Sequence, residues 1–201
     1  AMSGQLLWNV MHDGAYQITY QMGSWPAPFG IVYIVDPLNA SVLMVVSTIA
    51  AVLTLYARKS VASEIQKNRL HFFYALWLFC TTGLLGITIT GDAFNLYVLL
   101  EISSLSTYTL VALGRARNRR ALTAAINYLV LGSIGANFYL LGIAYLYQVT
   151  GSLNMADIHH ILVNQVFPTW GGDAPQYRTT VIVGFAFMAV GLSLKLALFP
   201  L

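Results

Sequence analysis

Two ionisable residues, Glu101 and Lys195, lie well inside long apolar runs of this 201-residue chain. Holding a charge in a lipid-like medium costs a few kcal/mol or more, so an acid and an amine kept there are candidates for moving protons. Glu101 falls eight residues past Ala93, where its apolar run begins. At 1.5 Å per residue that is about 12 Å into a hydrocarbon core about 30 Å thick, too deep for a short side chain to reach water. Ser103, Ser104, Ser106, Thr107 and Tyr108 follow it. Ser104 and Tyr108, at +3 and +7, share its helical face, which would then line a hydrated interior rather than meet lipid. The plainer alternative is a structural acid paired with a neighbour.

Lys195 stands in Gly191-Leu192-Ser193-Leu194-Lys195-Leu196-Ala197-Leu198-Phe199-Pro200. Pro200 cannot donate to the carbonyl of Leu196 and crowds it, so a kink or break is expected just after Lys195. Broken helices beside charges mark ion pathways in transporters. The plainer alternative is a lysine snorkelling to the membrane surface, and a depth of about 24 Å along a straight helix from Thr179 does not exclude it.

The remaining candidates are weaker. His71 opens an apolar run and reads as an interfacial residue, with proton entry as the alternative. His159, His160, Asp157 and Asp173 share one loop, but adjacent histidines diverge on a helix and no cysteine is near, so a polar surface loop is preferred to a metal site. Asp36 precedes Pro37 and suits a helix cap. Cys80, the single cysteine, allows no internal disulfide and reads as a small core residue. No phosphate loop, H-E-x-x-H, nucleophile elbow, or ligand set for quinone, haem or iron–sulfur is present, so no cofactor and no metal is expected.

The elements that must position these residues are membrane helices. The chain is 58% apolar and 8% charged, against about 25% charged in a soluble domain. A spanning helix needs about 20 mostly apolar residues. Five stretches qualify, at 37–57, 71–90, 93–113, 121–147 and 179–201, all apolar around the whole circumference. This predicts an all-α membrane bundle over 37–201. Residues 1–36 form a separate leading part: Gln5–His12 reads as the end of a preceding helix closed by Gly14, and Tyr16–Met22 with Ile31–Val35 as a hairpin. No signal peptide is visible, since residues 1–30 hold no Lys or Arg. Both ends read as cut from a longer protein.

The net charge of +3 does not point to nucleic acid. Eight of the ten basic residues (Arg58, Lys59, Lys67, Arg69, Arg115, Arg117, Arg119 and Arg120) fall in two loops, the use that membrane topology makes of such residues. The alternation puts 58–70 and 114–120 in the cytoplasm and the other loops outside.

The run Gly91-Asp92-Ala93-Phe94-Asn95-Leu96-Tyr97, continuing through Glu101 to Ser106-Thr107-Tyr108, resembles the antiporter-like subunits shared by Mrp-type Na⁺/H⁺ antiporters and respiratory complex I. Trp25-Pro26-Ala27-Pro28-Phe29-Gly30, Gly151-Ser152-Leu153-Asn154-Met155-Ala156-Asp157 and the Lys195 to Pro200 run agree. The first of these makes the D-type subunit of an Mrp antiporter the nearest likeness.

The resemblance implies part of a fourteen-helix, inverted-repeat fold with a short outer β-hairpin. It makes Glu101 and Lys195 the proton-handling pair of the first repeat; the spacing, kink and interface arguments above name Pro200, Ser104, Tyr108 and His71 as supporting residues. It implies a bacterial inner-membrane location, other membrane subunits and the lipid bilayer as partners, and protons and a monovalent cation, Na⁺ first, as cargo. The family continues into a second repeat, so these residues alone are not expected to complete a transport pathway. Two alternatives stand: the same piece within an NADH–quinone oxidoreductase, doing no redox chemistry itself, and a non-transporting scaffold, which has no need of a mid-membrane acid.

The orientation is directly testable. Cysteine placed at Ser63 or Asn118 should resist an impermeant thiol reagent added outside intact cells, and ready labelling at either position reverses the assignment.

Overall fold

The computed structural model describes residues 2–12, 17–65, 67–114, 119–171 and 177–198. A short helix α1 (Met2–His12) leads into strands β1 (Ile18–Gln21) and β2 (Val32–Val35), which pair as a two-stranded sheet. There follow α2 (Pro37–Glu64), α3 (Leu70–Ile89), α4 (Ala93–Leu113), α5 (Arg120–Thr150), the short α6 (Met155–Ile161) and α7 (Arg178–Lys195). Helices α2, α3, α4, α5 and α7 are long and apolar enough to cross a membrane, as expected. Gly14 lies outside the described residues.

The chain forms two compact units, and α4 and α5 each run from one into the other. The first comprises residues 1–19, 34–89 and 99–130. Here α1 packs on α2 and α2 on α3, and Val10, Val35 and Ala40 form a small core with Leu7, Ile18 and Ile89. Asp36 is the cap that its position suggested: its carboxylate accepts from the Asn39 N–H at 2.7 Å, with Pro37 in the first turn.

The second unit comprises residues 20–33, 90–98 and 131–201. Its core joins Ala93, Tyr139, Ile143 and Leu146 to Ile158, Leu162, Val166 and Val181. Here α5 and α7 approach backbone to backbone. A Cβ on Gly142 would lie 2.6 Å from the Gly184 carbonyl oxygen, and one on Gly191 would lie 2.6 Å from that of Gly135. The glycines are seven apart on each helix and run in opposite senses, so two contacts of the same kind repeat along the seam. Small residues allow such approach where lipid offers no hydrophobic drive between helices.

Three expectations are corrected. The stretch at 37–57 continues to Glu64, so Arg58 and Lys59 belong to α2 rather than to a loop. Ala57 to Glu64 contains no helix breaker, and lipid solubility, not helix propensity, was what ended at Arg58. The stretch at 179–201 stops at Lys195 instead of running to the chain end. The segment at 149–177 is not simply a polar surface loop. It holds α6, a π-helical turn (Leu162–Val166) and a 3₁₀ turn (Phe167–Gly171). Ile158, Leu162 and Val166 are buried from it at four-residue spacing, the stripe of an amphipathic helix.

The glycine seam makes a stability prediction. Gly142→Ala should cost about 1–3 kcal/mol by overpacking. Gly171→Ala, where an added Cβ meets nothing within 4 Å, should stay within about 0.5 kcal/mol. Thermal melting of the two variants in detergent distinguishes them, and equal midpoints would refute the seam.

Candidate functional site

Helix α4 begins at Ala93, where the sequence places it, so Glu101 keeps its position on the third turn. Its side chain is half-buried. The hydroxyls around it turn out to be answered largely within the helix. Ser103 donates to the Leu100 carbonyl at 3.0 Å, Ser106 to Ile102 at 2.7 Å and Thr107 to Ser103 at 2.8 Å. Thr107 also meets the Cys80 thiol at 3.4 Å, which gives that cysteine a polar neighbour inside the core. Tyr108 is buried, sits edge-on to Tyr128 at 4.6 Å, pairs with Ser104 and lies within electrostatic reach of Glu101. The structure thus brings Glu101, Ser104 and Tyr108 together. Gly83 of α3 lets α4 come close at this turn: a Cβ there would stand 2.9 Å from the Leu99 carbonyl oxygen and from Ser103.

Lys195 belongs to the second unit and is the last residue of α7. The helix break expected after it is present, but its device is local. Ala197 takes a left-handed φ of 50°. Its N–H bonds the Leu194 carbonyl at 3.3 Å, and the Leu198 N–H bonds that of Ser193 at 3.0 Å. These are the two bonds of a Schellman ending, with alanine where glycine is usual. The Lys195 stem crosses the bare backbone of Gly135, where a Cβ would lie 3.4 Å from Cγ. Pro200 and Asp173 lie outside the described residues. His71 is exposed at the start of α3, its ring 4.1 Å from that of Phe72. His159 and His160 are exposed on α6, and no metal-holding cluster occurs among the described residues.

Sequence reasoning passed over the most connected polar cluster. Asp92 is 6% exposed and accepts from the Asn95 N–H at 2.6 Å, capping α4. Asn95 in turn donates to Thr90 at 2.9 Å. The Gly91 N–H bonds Val32 of the hairpin at 2.8 Å. The Ala93 N–H bonds Leu153 at 2.8 Å, and the Met155 N–H returns to Gly91 at 2.9 Å. Asn154 caps α6 through Ala156 and Asp157, and Tyr139 donates to the Ala93 carbonyl at 3.4 Å. The sequence signal was Asp92 three residues before Asn95 at the head of an apolar run, a cap pattern.

Burial pushes the Asp92 carboxyl above its ordinary value of 3.8, against the lowering effect of the Asn95 and Phe94 N–H groups. The folded state therefore holds this proton more tightly than the unfolded chain. Its contribution to stability is greatest in acid and is lost as pH rises through 3.8 toward the raised value. Asp92→Asn keeps the capping oxygen without the charge. It should melt above the parent at pH 7 and lose that advantage near about pH 3.5, whereas Asp92→Ala should lose about 1 kcal/mol of cap. A parent more stable than Asp92→Asn at pH 7 would contradict this.

The sequence profile of the family described as NADH:quinone oxidoreductase/Mrp antiporter, transmembrane, matches residues 90–201. The chain is 42% identical over 182 residues to the N-type subunit of the NADH-quinone oxidoreductase of Desulforudis audaxviator, covering 90% of this chain and 34% of that protein. It is 32% identical over 181 residues to the D-type subunit of the Na(+)/H(+) antiporter of Alkalihalophilus pseudofirmus, again covering 90% of this chain and 34% of that protein. Among solved structures it is similar to a chain of the membrane-bound sulfane sulfur reductase, an archaeal respiratory membrane complex, with TM-score 0.80, 33% identity, and coverage of 99% of this chain and 37% of that chain. The chain therefore spans about a third of the length of the relatives it matches. Identity to both kinds of relative over nine-tenths of the chain, carried on five membrane-length helices, leads to one conclusion: this is a multi-pass membrane protein that belongs to the NADH:quinone oxidoreductase/Mrp antiporter transmembrane family.

Proposed function

We propose that this chain handles protons within a multisubunit monovalent cation/proton antiporter, with Glu101 and Lys195 as its proton sites and 58–70 and 114–120 on the cytoplasmic side. The observation that carries the reading is the placement of the two charges. An acid stands on the third turn of one spanning helix, and an amine ends another at a built-in break. Each side chain is of a type that can carry a proton, and holding either in a lipid span is costly unless it is used. The relative named as part of a Na(+)/H(+) antiporter supports Na⁺ as the coupled cation.

A second reading draws on the 42% identity to part of an NADH-quinone oxidoreductase. There the same two residues would move protons driven by redox chemistry in other subunits. Co-purifying flavin and iron–sulfur subunits favour that setting, and small hydrophobic antiporter subunits favour the first.

Both readings are tested by substitution in the assembled complex. Glu101→Gln keeps the shape and removes the charge, and should cut proton transport in vesicles at least tenfold while assembly stays intact. Lys195→Ala should do the same. Lys195→Arg should also fail, because arginine keeps its proton at any accessible pH. Normal transport by a well-assembled Glu101→Gln complex would refute the proton site and leave the scaffold reading.

A further inference from the structure

A groove of about 360 Å³ opens in the second unit between α6 with its π turn, α5 and α7. Its walls include Leu146, Met155, Val163, Phe167, Phe185 and Met188, and His159 is its one ionisable lining residue. Met155, Val163 and Phe167 remain exposed, although the same segment buries Ile158, Leu162 and Val166 on its other face. The π turn widens the helix here by one residue, as such turns often do at binding sites.

Beyond the Phe167 wall of the groove, one further ring away, stands a cation. Phe167 packs on Trp170 with ring centroids 4.8 Å apart, and the Arg178 guanidinium lies over the Trp170 ring at 5.9 Å. Arg178 is also two turns before Phe185 on α7 and is the only Lys or Arg between Arg120 and Lys195. A guanidinium over an indole ring keeps N–H donors free for an anion such as phosphate. The Trp170 indole N–H is a buried donor with no partner among the described residues.

We propose that the groove holds one acyl chain of a phospholipid whose phosphate rests on Arg178. The charge placement favours this occupant: an apolar trough with a cation one ring beyond its Phe167 wall matches an amphiphile with one anionic end.

Native mass spectrometry of the protein, purified in mild detergent from phosphatidylglycerol-containing membranes, should show one retained phospholipid. Arg178→Ala, a change at an exposed side chain, and Val163→Phe, which fills the trough, should each lower the retained fraction at least tenfold. Arg119→Ala should leave it unchanged. With Trp8, Trp25 and Trp77 replaced by Phe, Trp170 fluorescence should be quenched by brominated acyl chains, and Val163→Phe should relieve the quenching. Equal lipid retention in the parent, Arg178→Ala and Val163→Phe overturns the proposal. So does a co-purifying protein that is lost on Val163→Phe while the lipid count stays the same.

Discussion

A backbone N–H or carbonyl without a partner is costly wherever water is absent, and this requirement shapes the whole chain. Along the five long helices it is met internally. The difficulty concentrates where the chain turns, and the turn between α3 and α4 shows the solution. Its groups bond to the hairpin at Val32 and to the turn before α6 at Leu153 and Met155. Three irregular segments thereby satisfy one another. Asp92, Asn95, Ser152 and Asn154 are buried because they complete this arrangement. The first residues of α4 are pinned by it.

Much of this was legible in the residues. The five spanning helices, and where each starts to within one residue, followed from the apolar runs, and the Asp36-Pro37 start followed from cap chemistry. The Gly91 to Tyr97 and Gly151 to Asp157 stretches stand apart in the sequence, each as a mark of the family. That they hydrogen-bond to each other was not legible, because pairing between turns leaves no periodic trace. The end of α2 was missed because a criterion of lipid solubility stops at the first charge, while a helix does not. The amphipathic stripe at Ile158, Leu162 and Val166 was visible but was outweighed by the polar residues between.

The site residues divide in the same way. Ser104 and Tyr108 were placed beside Glu101 by helical spacing alone, and they are there. The serines and Thr107 nearby suggested a wet face, yet Ser103, Ser106 and Thr107 bond to carbonyls of their own helix. Counting hydroxyls overstates hydration when each can turn back on its own backbone. For Lys195 the break was anticipated from a proline, whereas the described ending is formed by Ala197 and Leu198.

That ending is close to energetic balance. Holding an alanine in the left-handed region costs about 1–2 kcal/mol. The two closing hydrogen bonds return about 1 kcal/mol each. The gain and the cost nearly cancel, so the backbone by itself has little preference between stopping at Lys195 and winding on for another residue or two. Where α7 ends is then decided by its surroundings.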